Sequence, residues 1–281
     1  MILVLKTGFY SSIQDFGRLG FQEFGVPYSG VMDRKAVRLA NALLGNSENE
    51  AVIEMTMIGG TFQFTKSTCI AISGADMTPK LNNNRIRNYD FIAIKPGDVL
   101  SFGKAQAGFR CYLAVLGGFN AEIVMQSKSM YQNITKAVTI LKNDELTYDA
   151  SESTGRGHAK IRVNAAYMES EILEVYSGPE FEYLSNHQQK LLLDGSFTVS
   201  KNNNRMAYQL EEVVSNTLNS IITSPVLPGT VQLTPSGKLI ILMRDCQTTG
   251  GYPRVFQLKA SAINTLSQKF TGQIIQFKLL D

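Results

Sequence analysis

The stretch Gln247-Thr-Thr-Gly-Gly-Tyr-Pro-Arg254 puts an amide, two hydroxyls, paired glycines, a phenol and a guanidinium within eight residues. Gln247, Thr248, Thr249 and Arg254 can all donate hydrogen bonds to an oxygen-rich ligand. Gly250 and Gly251 let backbone N–H groups close on an anion, and Tyr252 adds a flat polar edge. An ordinary tight turn, with Pro253 stopping the next strand, uses the same residues, since short Gly-rich matches are weak signals. The stretch follows the apolar run Leu239–Met243, so it reads as the loop leaving a buried strand.

Other groups with chemical capacity sit in loops punctuated by glycine. Gln14 and Arg18 lie in Gln14-Asp-Phe-Gly-Arg-Leu-Gly20, and Ser29 in Gly25-Val-Pro-Tyr-Ser-Gly30, which leads to Asp33. Glu54 falls in an apolar stretch, where a carboxylate must be paired or hydrogen-bonded. Asp76 and Asp245 end apolar runs, and Arg205 follows an asparagine-rich turn. The chain has only two histidines, His158 and His187, both in polar surroundings. No His/Cys spacing suits a transition metal, and no metal site is expected. Gly237-Lys238 fails the phosphate-loop pattern on both sides, so Pro235-Ser-Gly-Lys238 is a hairpin turn. Cys69, Cys111 and Cys246 lie in or beside apolar runs and read as buried reduced thiols.

The elements that must position these groups follow from composition and pattern. The 281 residues are 44% hydrophobic and 18% charged, with net charge +3, which describes a globular chain with a real core. That charge forms no basic stripe, so nucleic acid is not an expected partner. No apolar run reaches the ~20 residues of a membrane helix, and Met1–Leu5 is too short for a signal segment; a cytoplasmic protein is expected.

An internal repeat organises the rest. Leu3–Gly8, Gly60–Thr65 and Gly97–Phe102 recur as Leu173–Gly178, Gly229–Thr234 and Gly272–Phe277, each about 170 residues later. Asp76 falls on Asp245 in the same frame. Two similar units are expected, 1–103 and 172–281. Between them, 104–171 carries the strand Cys111–Leu116 and the polar tract Ser151–His158. Short strands dominate each unit, at 61–65, 68–73, 91–94 and 99–102 in the first. A helix capped by Asp33 and stopped by Gly45 covers the first unit, and 260–269 covers the second. The expected fold is mainly β with a few short helices, as two pseudo-repeated barrels facing a crevice into which the 247–254 turn projects.

Ser12-Ile-Gln-Asp-Phe-Gly-Arg-Leu-Gly20, Gly25-Val-Pro-Tyr-Ser-Gly-Val-Met-Asp33, Leu39-Ala-Asn-Ala-Leu-Leu-Gly-Asn46 and Gln247–Arg254 closely resemble the motifs of the 5-oxoprolinase C-type (KipA-like) family. That family is similar to half of the carboxyltransferase domain of urea carboxylase. The resemblance runs nearly end to end and implies cyclophilin-like β-barrels. It implies ATP-dependent opening of 5-oxo-L-proline to L-glutamate in a complex with A- and B-type partners, the latter KipI-like, with ATP and Mg as cofactors. Under it, Asp33, Asp76 and Arg254 become candidate catalytic residues, Asp33 or Asp76 as base or magnesium ligand. Gln14, Arg18, Ser29, Arg205, Gln247, Thr248, Thr249, Gly250, Gly251 and Tyr252 become candidate binders of substrate or ATP. Alternatives are a biotin-dependent carboxyltransferase component acting on urea-like amides, and a non-catalytic regulator binding a KipI-like kinase inhibitor. The chain departs from the family in two places: Asn204 and Ala207 replace an aspartate and a glycine around Arg205, and Met125-Gln-Ser127 replaces Leu-Gly-Ser.

Overall fold

The computed structural model describes residues 1–149 and 165–280; the polar tract 151–158 and its histidine lie outside them. Contacts divide the chain into two units. Met1–Arg18 and Ser29–Ala165 form the first, Leu19–Tyr28 and Ala166–Asp281 the second.

The first unit comprises β1 (Ile2–Lys6), β2 (Tyr10–Gln14), α1 (Arg34–Leu44), β3 (Val52–Thr56), β4 (Thr61–Phe64), β5 (Thr68–Asp76), β6 (Lys80–Leu81), β7 (Asn84–Arg85), β8 (Ile92–Ile94), β9 (Val99–Ser101), β10 (Ala107–Val115) and β11 (Glu145–Leu146). They pair as two sheets, β11-β1-β4-β9-β6-β7 and β2-β3-β10-β5-β8. The segment placed by sequence between the units thus supplies β10, the central strand of the second sheet, antiparallel to both β3 and β5. Strand alternation decides the layering. Ile53, Met55, Ile70, Ile72, Leu113 and Val115 point one way and join Val4, Phe62, Phe64 and Leu100 of the other sheet in one core. Val52, Ala71 and Ala114 point the other way and meet Ala36, Val37, Ala40, Leu43 and Leu44 of α1. An eleven-residue helix is too short to persist alone, so this burial is what keeps it folded. Asp33 caps it by accepting from Ala36 N at 3.0 Å, and Gly45 ends it at φ 70°.

The second unit comprises β12 (Ile172–Ser177), α2 (Asn186–Asp194), β13 (Phe197–Asn203), β14 (Ala207–Val213), β15 (Ser224–Pro225), β16 (Thr230–Leu233), β17 (Lys238–Leu242), β18 (Thr249–Gly250), β19 (Arg254–Leu258), α3 (Ala260–Ser267) and β20 (Ile274–Leu279). Seven strands close a barrel in the order β12-β19-β16-β17-β14-β13-β20, with β12 and β20 parallel. Phe181, Phe256, Phe277 and Phe197 run as a chain with ring centroids 5.1, 5.2 and 5.5 Å apart. Such offset contacts add to the apolar burial of the rings. Helix α2, absent from the expected elements, has the capping box of Ser185 and Gln188, a signal that the sequence does carry.

The repeated segments are strands in both units: β1 and β12, β4 and β16, β9 and β20. Their neighbours differ. β1 pairs directly with β4, whereas β19 stands between β12 and β16. Barrel closure is a feature of the second unit, and the first is layered sheets.

Both departures from the family pattern have local consequences. Asn204 Oδ1 accepts from Met206 N at 2.8 Å and Ala207 N at 3.0 Å, a role an amide fills as well as a carboxylate. Met125 and Gln126 sit at φ 51° and 61°, inside the two-residue turn closed by the reciprocal Val124 and Ser127 backbone bonds. That turn needs positive φ at both positions. It is held in place because Ser127 Oγ donates to Asp15 at 2.6 Å. Replacing Gln126 with Gly relieves the left-handed penalty and should raise stability by about 1 kcal/mol, read by urea unfolding. A loss of stability would show that the turn is not strained.

Candidate functional site

The residues singled out by sequence fall into two groups, one in each unit. In the first unit they gather on the α1-bearing face of the five-stranded sheet. Ser12, Glu54, Tyr112 and Ser73 stand in one cross-strand row over β2, β3, β10 and β5, so their side chains share a face. All four are fully buried. Glu54 accepts from Met32 N at 2.8 Å, and Asp33 N donates to Tyr112 Oη at 2.9 Å. The row therefore fastens the entry to α1 onto the sheet. Arg110, also buried, stands 3.9 Å from Glu54. Burial, then the Glu54 and Asp33 carboxylates, push the Tyr112 phenol well up. Tyr89, which accepts from Gly74 N, is pushed up to about 12, first by burial. Neither phenol ionises near neutral pH.

Gln14 donates to Ser12 Oγ and to the Met130 carbonyl, both at 3.0 Å. Arg18 is buried and donates to the Ser129 carbonyl at 2.5 Å. Ser29 is buried at φ 56°, an uncommon conformation outside glycine. Asp76 is set apart from these buried residues. It is half-exposed at the end of β5 and grips Arg85 through both oxygens at 2.8 Å. Of this group the sequence reading named Gln14, Arg18, Ser29 and Asp33 and flagged Glu54; Ser73, Arg110 and Tyr112 escaped it. Their signal was the register of β10, legible only once its partners are known.

In the second unit the 247–254 stretch is a roof over the barrel's outer face. β18 pairs with β15, Ser224 opposite Gly250 and Pro225 opposite Thr249. Thr248 and Gly251 carbonyls accept from Val226 N and Ile221 N. Tyr252 is exposed. Beneath the roof, Gln209, Ile240, Gln232 and Arg254 form a row across β14, β17, β16 and β19. Val226, Leu242 and Cys246 pack there with Ile240. This cover explains why all four residues of β16 are buried. Burial pushes the Cys246 thiol up to about 12, which leaves it a packing group.

Arg254 is wholly engaged. Its Nε and Nη2 meet Glu180 at 3.0 and 2.8 Å, and Nη1 meets Ser224 Oγ at 2.6 Å and the Pro225 carbonyl at 3.3 Å. Glu180 also accepts from Arg254 N. Arg254 therefore latches β15 to the turn after β12, and Glu180 and Ser224 are the partners that sequence reasoning missed. Gly178 is needed here, since a Cβ on it would lie 2.1 Å from the Arg254 carbonyl oxygen. Arg205 makes a similar bidentate pair with Asp245, at 2.8 and 3.0 Å. Two surface hollows, of about 310 Å³ around Lys128, Met130 and Thr147 and about 300 Å³ around Ile172 and Phe277, contain none of the sequence-predicted residues.

Hydrogen bonds from Arg254 hold the Glu180 carboxyl below its ordinary range. The pair's stabilisation is therefore full above the unfolded-state value, about 4.3, and is lost as pH falls through the lower folded value. Urea unfolding between pH 7 and pH 3 should show this acid-side loss in the native chain and a smaller one in Glu180→Gln. An unchanged acid limb in the variant would contradict the latch.

Comparison with known proteins gives the family. The family model "Carboxyltransferase domain, subdomain A and B" matches residues 24–279. The chain is 30% identical to the 5-oxoprolinase C subunit of Escherichia coli, covering 99% of this chain and 90% of that one. It is 28% identical to the corresponding C subunit of Haemophilus influenzae over 99% and 91%. A urea amidolyase of Lachancea kluyveri is 39% identical, but over 46% of this chain and 7% of its own length. Among solved structures, the Kluyveromyces lactis urea carboxylase superposes with a TM-score of 0.89 at 25% identity, over 100% of this chain and 27% of that one. The chain belongs to the carboxyltransferase subdomain A and B family, in which the 5-oxoprolinase C subunits are among its relatives.

Proposed function

We propose that the chain is the C-type subunit of a cytoplasmic, ATP-dependent 5-oxoprolinase that opens 5-oxo-L-proline to L-glutamate together with A- and B-type partners. One observation carries the reading. The sequence similarity to 5-oxoprolinase C subunits spans 99% of this chain and about nine-tenths of theirs, while the urea amidolyase sequence match covers under half of it, its structural likeness alone running end to end. With the family also comes the reading of both units as cyclophilin-like copies of one ancestral piece, supported by the three repeated segments that are strands in both units.

A five-membered lactam is a resonance-stabilised amide, and ATP supplies the free energy that makes its opening irreversible. The carboxylates that the sequence offered as base or magnesium ligand are both engaged within the chain. Asp33 caps a helix and Asp76 is paired with Arg85. The reading therefore assigns ATP and Mg to a partner protein and leaves this chain the task of holding the lactam. Preorganised donors that fix an amide carbonyl are the natural contribution of such a rigid frame.

A second reading has its own support: the family model carries the carboxyltransferase name, and the urea amidolyase half-match is the stronger per residue. There the chain would take a carboxyl group from a biotinylated partner to a urea-like amide. Mixing the chain with its neighbouring gene products, 5-oxo-L-proline and ATP should yield glutamate only when every component is present. Transfer of a carboxyl group from carboxybiotin to urea in the same mixture, without glutamate, would establish the second reading instead.

A further inference from the structure

In the first unit β10 ends at Val115 and β11 begins at Glu145, and the connection 116–144 contains no helix or strand. Connections longer than about 12–15 residues without elements of their own are uncommon and usually functional. This one is firmly held. Asp15 accepts from Ser127 Oγ and Ser129 Oγ at 2.6 Å and from Lys128 N at 2.7 Å. Met130 N donates to the Ile13 carbonyl, and Asn120 and Thr147 pair as an antiparallel bridge. Fastened at these points, the connection walls the hollow of about 310 Å³.

Ile13 and Leu146, buried in the core, and Met130, packed against it, give the hollow an apolar floor. Glu122, Asp144, Glu145 and Lys128 also line it. The Lys128 ammonium stands 3.5 Å from Glu50, which lies outside the lining. Three carboxylates are thus set against one cation that has a partner of its own. Glu122 has Lys136 at 3.9 Å, but that side chain is 92% exposed and holds it weakly. In a chain of net charge +3 the hollow is a local reversal of sign. Two large apolar side chains adjoin it. Ile123, next to Glu122 in the chain, is 65% exposed, and Leu141, whose N–H donates to Asp144 at 2.7 Å, is 61% exposed.

Charge complementarity selects the occupant. 5-Oxo-L-proline, ATP and nucleic acid are all anions, and three carboxylates repel each of them. A small cation would leave Ile123 and Leu141 uncovered. A lysine or arginine side chain on a protein loop meets both demands. Its aliphatic stem lies along the apolar floor while its charged head reaches the carboxylates, and the apolar neighbours on that loop cover Ile123 and Leu141. We propose that this hollow is the docking socket for a basic side chain of a partner protein. The urea carboxylase contains the corresponding piece within one longer chain, and a covalent tether supplies effective concentration. A separate subunit must hold its partners by such contacts alone. Naming that partner as the A- or B-type protein rests on the 5-oxoprolinase reading; the chemistry of the socket does not.

The test mixes the full chain with the purified A-type and B-type proteins in turn and measures Kd by calorimetry at low and high salt. The native chain should bind one of them, and more weakly at high salt. Glu122→Lys combined with Glu145→Lys should weaken that binding by at least about tenfold and remove its weakening by salt. Ile123→Ser should weaken it with the salt effect kept, and Tm of the isolated chain should be unchanged in both. If the charge reversal lowers Tm, Glu122→Gln with Glu145→Gln takes its place, with a smaller loss in the same direction. A benzophenone side chain at position 123 should crosslink to a partner segment that contains lysine or arginine. Native affinity in the charge variants overturns the proposal, as does a native chain that binds neither protein or a crosslinked segment without a basic residue. Assembly weakened as expected, with no glutamate formed from 5-oxo-L-proline and ATP by the native complex, sinks the 5-oxoprolinase reading and keeps the socket. Glutamate formation with assembly unaltered in every variant does the reverse.

Discussion

The bidentate pair of Arg254 and Glu180 joins three pieces of the second unit: the first residue of β19, the turn after β12, and, through Ser224, the outer ribbon. A planar guanidinium suits this role because its fork meets a carboxylate with two parallel bonds and still has a third nitrogen for a hydroxyl. The geometry also fixes what Arg254 does not do. With Nε, Nη1 and Nη2 all directed to its own chain, it holds the roof rather than facing a ligand. The roof in turn buries the outer side of β16, which would otherwise be the solvent face of a closed barrel. Everything distinctive about the 247–254 stretch follows from being clamped there.

The first unit solves a related problem differently. A sheet face half covered by a helix leaves the other half to be filled, and here it is filled with polar groups: Ser12, Glu54, Ser73, Arg110 and Tyr112. A buried carboxylate is tolerable when it is hydrogen-bonded, and Glu54 is bonded to the backbone at Met32. Tyr112 acts likewise on Asp33. The polar floor and the helix cap are thus one network: Asp33 satisfies α1 with its side chain while its own N–H is satisfied from the sheet. Such a network specifies one position for the helix entry more sharply than apolar packing alone.

Local features were legible in the sequence. Asp33 and Gly45 bracketed α1, and the strands of both units appeared as short alternating runs. What escaped was set by pairing. β10 was expected as a strand, Cys111–Leu116, but in a segment between the units, yet it is the strand that brings Arg110 and Tyr112 beside Glu54. The repeat was legible as strands but not as neighbours, since nothing in a strand's own residues states which edge it will meet. Arg254 was recognised as a donor and its acceptor was not. Glu180 is 74 residues away along the chain, and such a distance carries no local pattern.

The relatives show the same piece in two settings: most of a separate 5-oxoprolinase component, and about a quarter of a urea carboxylase chain. A module that travels in this way needs apolar cores of its own, and each unit here has one. The fit of roof to wall shows how closely this is done: a Cβ on Gly250 would fall 2.5 Å from Gln232 Nε2 and 3.3 Å from Val226 Cγ1, so a glycine is what lets the β18 backbone lie against the barrel at that point.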